Sequence, residues 1–352
     1  MSRATNPNLS PPLRPVRSLL RVIGHAPPQL FGAVSRWCPV NADGEHVSIE
    51  MLTAAMVTAV LPNADMGGAT IGSARAGLER VSALVAEKLP VLAVEEDLEF
   101  DGPAGPLPVT RYRAGVDTRG LILFFHGGGF TTGSRASHDA LARRHAVDTG
   151  ADVVSVEYRL APENPFPAAV DDALAAWRGV VDAAPGWGVP SDRIVVAGDS
   201  AGGNLAAVVS QQVRGEEVTP ALQLLLYPKV DSVGEYGSIR EFGKGYFLTA
   251  ERIDQFTEVY VPDPAQLADP RVSPLLAEDL SGLPPAHVVV AGFDPLRDEG
   301  IAYADALGSA GVPVTLQREG ALIHGFANMA GFSPVADQAI SRFTSVVSDA
   351  LR

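Results

Sequence analysis

The chain has 352 residues, 46% of them apolar, enough for a large core; an α/β sheet of that length is often one domain with insertions. Its net charge of −14 argues against a nucleic-acid partner, whose phosphates would repel it, and favours solubility without naming a substrate. The one cysteine, Cys38, cannot form an internal disulfide and reads as a small buried hydrophobe, and no apolar run approaches the ~18 residues of a membrane span.

Residues Met1 to Val40 hold five arginines, seven prolines and no acid. A secretory signal needs an unbroken apolar stretch of about seven to fifteen residues. Arg21 interrupts the run from Ser18 to Gly24, so the segment reads as a disordered tail or a surface-lying arm, and the protein as cytoplasmic. Helical stretches are expected over Ile49–Val60 and Ala74–Lys88. Candidate strands then follow at Val91–Phe100, Leu107–Arg113, Leu121–Phe125, Asp152–Tyr158, Arg193–Ala197, Ala221–Tyr227, His287–Gly292 and Val314–Glu319. Helical runs such as Ala168–Val181 and Ile301–Ser309 separate the later strands. That alternation implies a mostly parallel eight-stranded sheet with both faces covered, and the first two strands suit an antiparallel start.

Directly after Leu121–Phe125 comes His126-Gly127-Gly128-Gly129-Phe130. Alone, three glycines read as a flexible turn or a phosphate cradle. The loop lacks the Gly-Lys-Ser/Thr ending of a P-loop, and Thr132 stands where a dinucleotide fingerprint needs its last glycine. Its backbone amides, with that of Ala201, suit a tetrahedral oxyanion. The partner feature is Gly198-Asp199-Ser200-Ala201-Gly202, between a buried strand and an apolar-rich helix: a nucleophile elbow. The turn is expected to be so tight that side chains at 198 and 202 would collide.

Ser200 needs a base. Of seven histidines, His25 and His46 lie in the irregular N-terminal region, His126 braces the glycine loop, and His138 and His145 share a helical face. His287 begins an apolar strand and reads as structural. His324 follows the last strand, where a loop hangs over the strand ends. The acid that orients it is expected at Asp294, in the loop after His287–Gly292, with Asp298 the fallback; Asp298 and Glu299 look like a helix start. Ser200, Asp294, His324 is the chain order of the α/β-hydrolase architecture.

These residues, with Tyr158-Arg159-Leu160-Ala161-Pro162-Glu163, Pro165-Phe166-Pro167-Ala168, Asp294-Pro295-Leu296-Arg297-Asp298-Glu299-Gly300 and His324-Gly325-Phe326, resemble the hormone-sensitive-lipase-like group of α/β-hydrolases, the bacterial carboxylesterases of that type. The resemblance runs from about Val91 to the C-terminus; the first forty residues are longer than the family pattern. It implies a triad of Ser200, Asp294 and His324 and an oxyanion hole of the Gly128, Gly129 and Ala201 amides. It also implies a helical cap from residues 41–90 and an insertion near 231–270 over a catalytic domain at 91–352.

The expected function is a serine carboxylesterase acting through an acyl-enzyme on short- to medium-chain esters, needing no metal or organic cofactor. Phe130, Tyr246 and Phe247 are expected to line an apolar acyl pocket. Two alternatives stand beside it: an acyltransferase or amidase on the same triad, and a non-catalytic receptor such as the plant gibberellin receptors, which resemble this family without the triad histidine. The partner is a small ester; a homodimer is left open.

Overall fold

The computed structural model describes residues 17, 18, 21, 22, 38–60 (with the side chains of 57–60 excepted) and 70–352. The arm and signal readings for residues 1–40, and His25, fall mostly or wholly outside these. In chain order the elements are α1 (Ile49–Val60), α2 (Ile71–Val85), β1 (Val94–Gly102), β2 (Gly105–Arg113), β3 (Leu121–Phe125), α3 (Asp139–Thr149), β4 (Asp152–Val156) and α4 (Ala168–Ala183). Then come β5 (Ile194–Asp199), α5 (Ala201–Gln212), β6 (Leu222–Leu226), α6 (Gly237–Phe242), α7 (Ala250–Tyr260), β7 (Ala286–Phe293), α8 (Arg297–Ser309), β8 (Val314–Ile323) and α9 (Pro334–Ala350).

The eight strands form one sheet in the order β1-β2-β4-β3-β5-β6-β7-β8. The β1–β2 and β2–β4 pairs are antiparallel and all others parallel. The period-2 geometry of a strand divides each central run between two cores. Leu121, Leu123 and Phe125 of β3 face Trp177, Leu205, Val209 and Leu307 of α4, α5 and α8. Ile122 and Phe124 face Leu141, Ala146, Ile340 and Phe343 of α3 and α9. Burial on both faces is why these strands are apolar without alternation.

Local chemistry moves several boundaries. α2 starts three residues before the expected Ala74 because the Thr70 side chain accepts from the Ser73 amide and the Ser73 hydroxyl takes the Thr70 N–H, a closed capping box. α8 starts at Arg297, with Asp298 and Glu299 in its first turn, as their reading as a helix start expects. β8 runs four residues past Glu319 to Ile323, with a register shift opposite Ala291/Phe293. Cys38 is buried, as its composition reading holds.

The antiparallel edge is fixed by charge. Asp152 at the start of β4 is fully buried and accepts from Arg111 Nε at 2.7 Å and Arg113 Nε at 2.6 Å, both on β2. Removing that carboxylate would leave two mostly buried guanidiniums without their shared partner, a change that typically costs about 3–5 kcal/mol. Asp152→Ala should lower the unfolding free energy by that order in urea titrations; an unchanged midpoint would show that the edge is held by packing alone.

Candidate active site

Three loops at the carboxyl ends of the parallel strands meet at one point, as open α/β sheets arrange their sites. Ser200 follows β5 at φ 56° and ψ −116°, a conformation a non-glycine residue holds only when its surroundings impose it. Its N–H donates to Leu226 O at 2.8 Å, and its carbonyl accepts from Asn204 N and Lys229 N at 3.1 and 3.2 Å. The glycines are required by close backbone contacts on both sides of the turn. A Cβ at Gly198 would meet the backbone O of Gly202 at 2.2 Å, and a Cβ at Gly202 would meet Phe125 O of β3 at 2.0 Å. The second glycine thus also serves the neighbouring strand.

His324 follows β8. Its Nδ1–H donates to Asp294 Oδ2 at 2.8 Å, and its Nε2 lies 3.0 Å from Ser200 Oγ. Asp294 is fully buried, and its other oxygen accepts the Leu296 N–H at 2.8 Å, which fixes the carboxylate plane. Asp298 is directed elsewhere: it accepts from Ser238 N and Arg297 Nε and does not touch His324. Asp294 is therefore the acid in contact with the imidazole.

The glycine loop after β3 turns through positive φ at Gly128 (128°), Gly129 (60°) and Phe130 (59°). The Gly127 N–H is spent on Asp199 Oδ1 at 2.8 Å. The amides of Gly128, Gly129 and Ala201 have no acceptor among the described residues. His126 braces the loop as expected, donating Nδ1–H to Gly127 O at 2.9 Å and stacking on Tyr158 at 4.3 Å. Tyr158 in turn donates its hydroxyl to His126 O at 2.6 Å.

Known proteins similar to this chain give its family. A family profile described as the alpha/beta hydrolase fold matches residues 122–328. The chain is a hormone-sensitive-lipase-like α/β-hydrolase. It is 49% identical to the carboxylic ester hydrolase LipN of Mycobacterium tuberculosis over 66% of this chain and 64% of that one, so the match spans just under two thirds of that relative's length. It is 39% identical to the ethyl acetate hydrolase of Pseudomonas putida over 74% of this chain and 85% of that one. Among solved structures, the ester-hydrolase EH1AB1 from the metagenome of Lake Arreo superposes with a TM-score of 0.78 at 40% identity, covering 85% of this chain and 95% of that one. By family the protein is a carboxylic ester hydrolase. Among the described residues no helix is long and apolar enough to cross a membrane.

The hydrolase has a cavity of about 100 Å³ beside Ser200 and His324. Phe130 and Phe247 line it, but Tyr246 does not. The Tyr246 ring packs on Phe242 at 5.8 Å and Phe293 at 5.4 Å, while Phe247 holds a positive φ of 70°. Two further walls consist of residues that the sequence reading does not assign to the pocket. α2 supplies Leu78, Val81, Ser82 and Val85, and α7 supplies Ile253, Phe256, Thr257 and Tyr260. Each set has the i, i+3, i+4, i+7 spacing of a helical face, a signal that was available. Phe256 covers Gly129 so closely that a Cβ there would lie 2.2 Å from its ring. Tyr260 stacks on Phe130 at 3.8 Å and holds that strained residue in place. α2 is tied to the glycine loop by Arg75, whose guanidinium donates to Thr131 O, Ala161 O and the Glu163 carboxylate.

The remaining described histidines have other surroundings. His287 is buried with Nε2 on Gln317 Oε1 at 3.0 Å, consistent with a structural part. His126 and His145 are fully enclosed, and burial drives both pKa values down to about 4. His145 lies between Phe124 and Phe343, each 5.7 Å away, with neither nitrogen hydrogen-bonded. An unfolded histidine titrates near 6.5. Between about 6.5 and 4 the unfolded chain therefore takes up protons that the native state refuses, and stability falls as pH falls through that window. The slope contributed by each such group approaches about 1.4 kcal/mol per pH unit. His145→Leu should flatten this acid loss: its urea midpoint should drop less than that of the unmodified enzyme between pH 7 and pH 4.5, and parallel curves would count against the buried neutral imidazole.

Proposed function

We propose that the hydrolase is a serine carboxylesterase acting through an acyl-enzyme on short- to medium-chain esters. The observation that carries this reading is the line Asp294 Oδ2–His324–Ser200 Oγ, with links of 2.8 and 3.0 Å. Ser200 Oγ attacks the ester carbonyl carbon as its proton passes to His324 Nε2. Asp294 holds the imidazole in the tautomer that can accept it and stabilises the imidazolium that results. The carbonyl oxygen, now anionic, sits among the amides of Gly128, Gly129 and Ala201, where preorganised donors lower the barrier without reorganising. The tetrahedral adduct collapses by breaking the bond to the alcohol oxygen, which takes the proton from His324. Water then attacks the Ser200 acyl ester by the same steps and releases the acid.

The sequence chemistry needs no metal or organic cofactor. The partner is a small ester in the cytoplasm and not a nucleic acid. Residues 41–90 and 231–270 act as a cap on the catalytic domain at 91–352, which is supported by the contribution of α2 and α7 to the cavity wall. The intact imidazole–carboxylate pair favours an enzyme over a receptor of the same fold. Hydrolysis is favoured over acyl transfer because the relatives described above are named as hydrolases.

Variants at the centre test the mechanism. Ser200→Ala and His324→Ala should each lower kcat by at least about a thousandfold in folded protein, the scale of losing one triad member. Asp294→Asn should lower it severely through loss of orientation, whereas Asp298→Asn should do far less and His287→Ala should mainly lower stability. Ester turnover unchanged in Ser200→Ala would remove the serine mechanism.

Chain length tests the pocket. The cavity of about 100 Å³ is smaller than the ~150 Å³ apolar void that accepts benzene. Each methylene gains roughly 0.8 kcal/mol only while room remains. Across p-nitrophenyl esters from acetyl to palmitoyl, kcat/KM should rise to a modest length near butyryl or hexanoyl and then fall sharply, without activation at a lipid interface. Best activity on emulsified palmitoyl esters would mean that the roof opens as a lipase lid.

A further inference from the structure

Asp199 precedes the nucleophile, is 3% exposed, and is not used by the mechanism above. Its two oxygens take donors from four other parts of the chain. Oδ1 accepts the Gly127 N–H at 2.8 Å. Oδ2 lies 3.3 Å from His138 Nε2, and since a carboxylate only accepts, that nitrogen carries the proton. The Asn328 amide at 3.4 Å and the Tyr227 hydroxyl at 3.5 Å complete the ring around Oδ2. Gly127 opens the glycine loop, Asn328 follows the His324 turn, Tyr227 follows β6, and His138 directly precedes α3. Space on the loop side is closed as well: a Cβ at Gly127 would lie 2.8 Å from Asp199 Oδ2. Burial alone would raise this carboxyl, but His138 and the Gly127 N–H outweigh it and hold its pKa below the ordinary range.

We propose that Asp199 is a positioning residue that sets the oxyanion loop and the His324 loop in register with Ser200. By taking the Gly127 N–H it turns that amide away from the site and leaves those of Gly128 and Gly129 unengaged. Displacing reacting groups by an ångström commonly costs about a hundredfold in rate, so a clamp of this kind acts on kcat rather than on ground-state binding. The inference rests on the serine-esterase reading, so Ser200→Ala is run beside it.

The experiment compares Asp199→Asn and His138→Gln with the unmodified enzyme on p-nitrophenyl butyrate. Two inhibitors are measured with each: a trifluoromethyl ketone, which forms a tetrahedral oxyanion adduct on a serine, and butyrate, the product acid. Asp199→Asn should lower kcat about tenfold to a hundredfold with KM within twofold. Its affinity for the ketone should weaken by the same factor, and its affinity for butyrate should be unchanged. His138→Gln, which keeps a donor for Oδ2, should show the same pattern at smaller size. The second variant decides if the first fails to fold. A folded variant with unmodified kcat, or a loss shared equally by ketone and butyrate binding, overturns the assignment. Activity surviving in Ser200→Ala would instead strike the esterase mechanism itself.

Discussion

The site depends on the backbone contact between β3 and β5. Phe125 and Gly198 are paired in the parallel register, so the loops that leave the two strands start at the same height. Residues 126–129 and 199–202 must then pass within van der Waals reach, and Phe125 O leaves only 2.0 Å for any Cβ at position 202. From that closeness follow the glycine at 202, the strained φ of Ser200 and the proximity of the Ala201 amide to the glycine loop. The strain, of order 1–3 kcal/mol for such a conformation, is absorbed by strands that are buried on both faces and cannot shift. A rigid sheet is therefore part of the site, because the geometry of Ser200 is a property of strand spacing.

The segment after β7 shows how helical geometry divides similar residues among different tasks. Asp294 lies in the loop and turns to His324. Asp298, one residue into α8, turns to the Ser238 amide and carries the start of α6. Glu299, next in sequence but about 100° further round the helix, is fully buried and accepts from Val230 N and Lys229 Nζ, fixing the loop after β6. Burial pushes the Glu299 carboxyl up, with Lys229 and the Val230 amide pulling against it. Three acids within six residues thus hold three separate loops around the same centre.

Much of this was legible in the chain. Doubly buried strands such as β3 and β5 announce themselves as unbroken apolar runs between turn residues, and the imidazole and carboxylate could be placed by the rule that loops at strand ends carry chemistry. The elbow and glycine loop were legible because each demands a particular backbone. What stayed hidden depends on contacts between distant segments. The stripes on α2 and α7 are visible as stripes, but periodicity says only that a face is apolar, not whether it meets a core or an open cavity. The positive φ of Phe247 has no glycine to mark it. Asp199 reads as the variable residue of the elbow until the fold brings Gly127, His138 and Asn328 to it.

The two stripes have a bearing on how such an enzyme changes through descent. In a closed core, trimming a large side chain opens a void and typically costs about 2–5 kcal/mol. Val81 on α2 and Ile253 on α7 face space that is already open. Trimming or enlarging them alters the shape of the cavity without leaving new emptiness in the sheet's packing, while Asp152, Asp294 and the glycines stay where they are. In the proposed mechanism the preference for one ester over another rests on the part of the molecule least bound by the demands of folding, where single substitutions can change it.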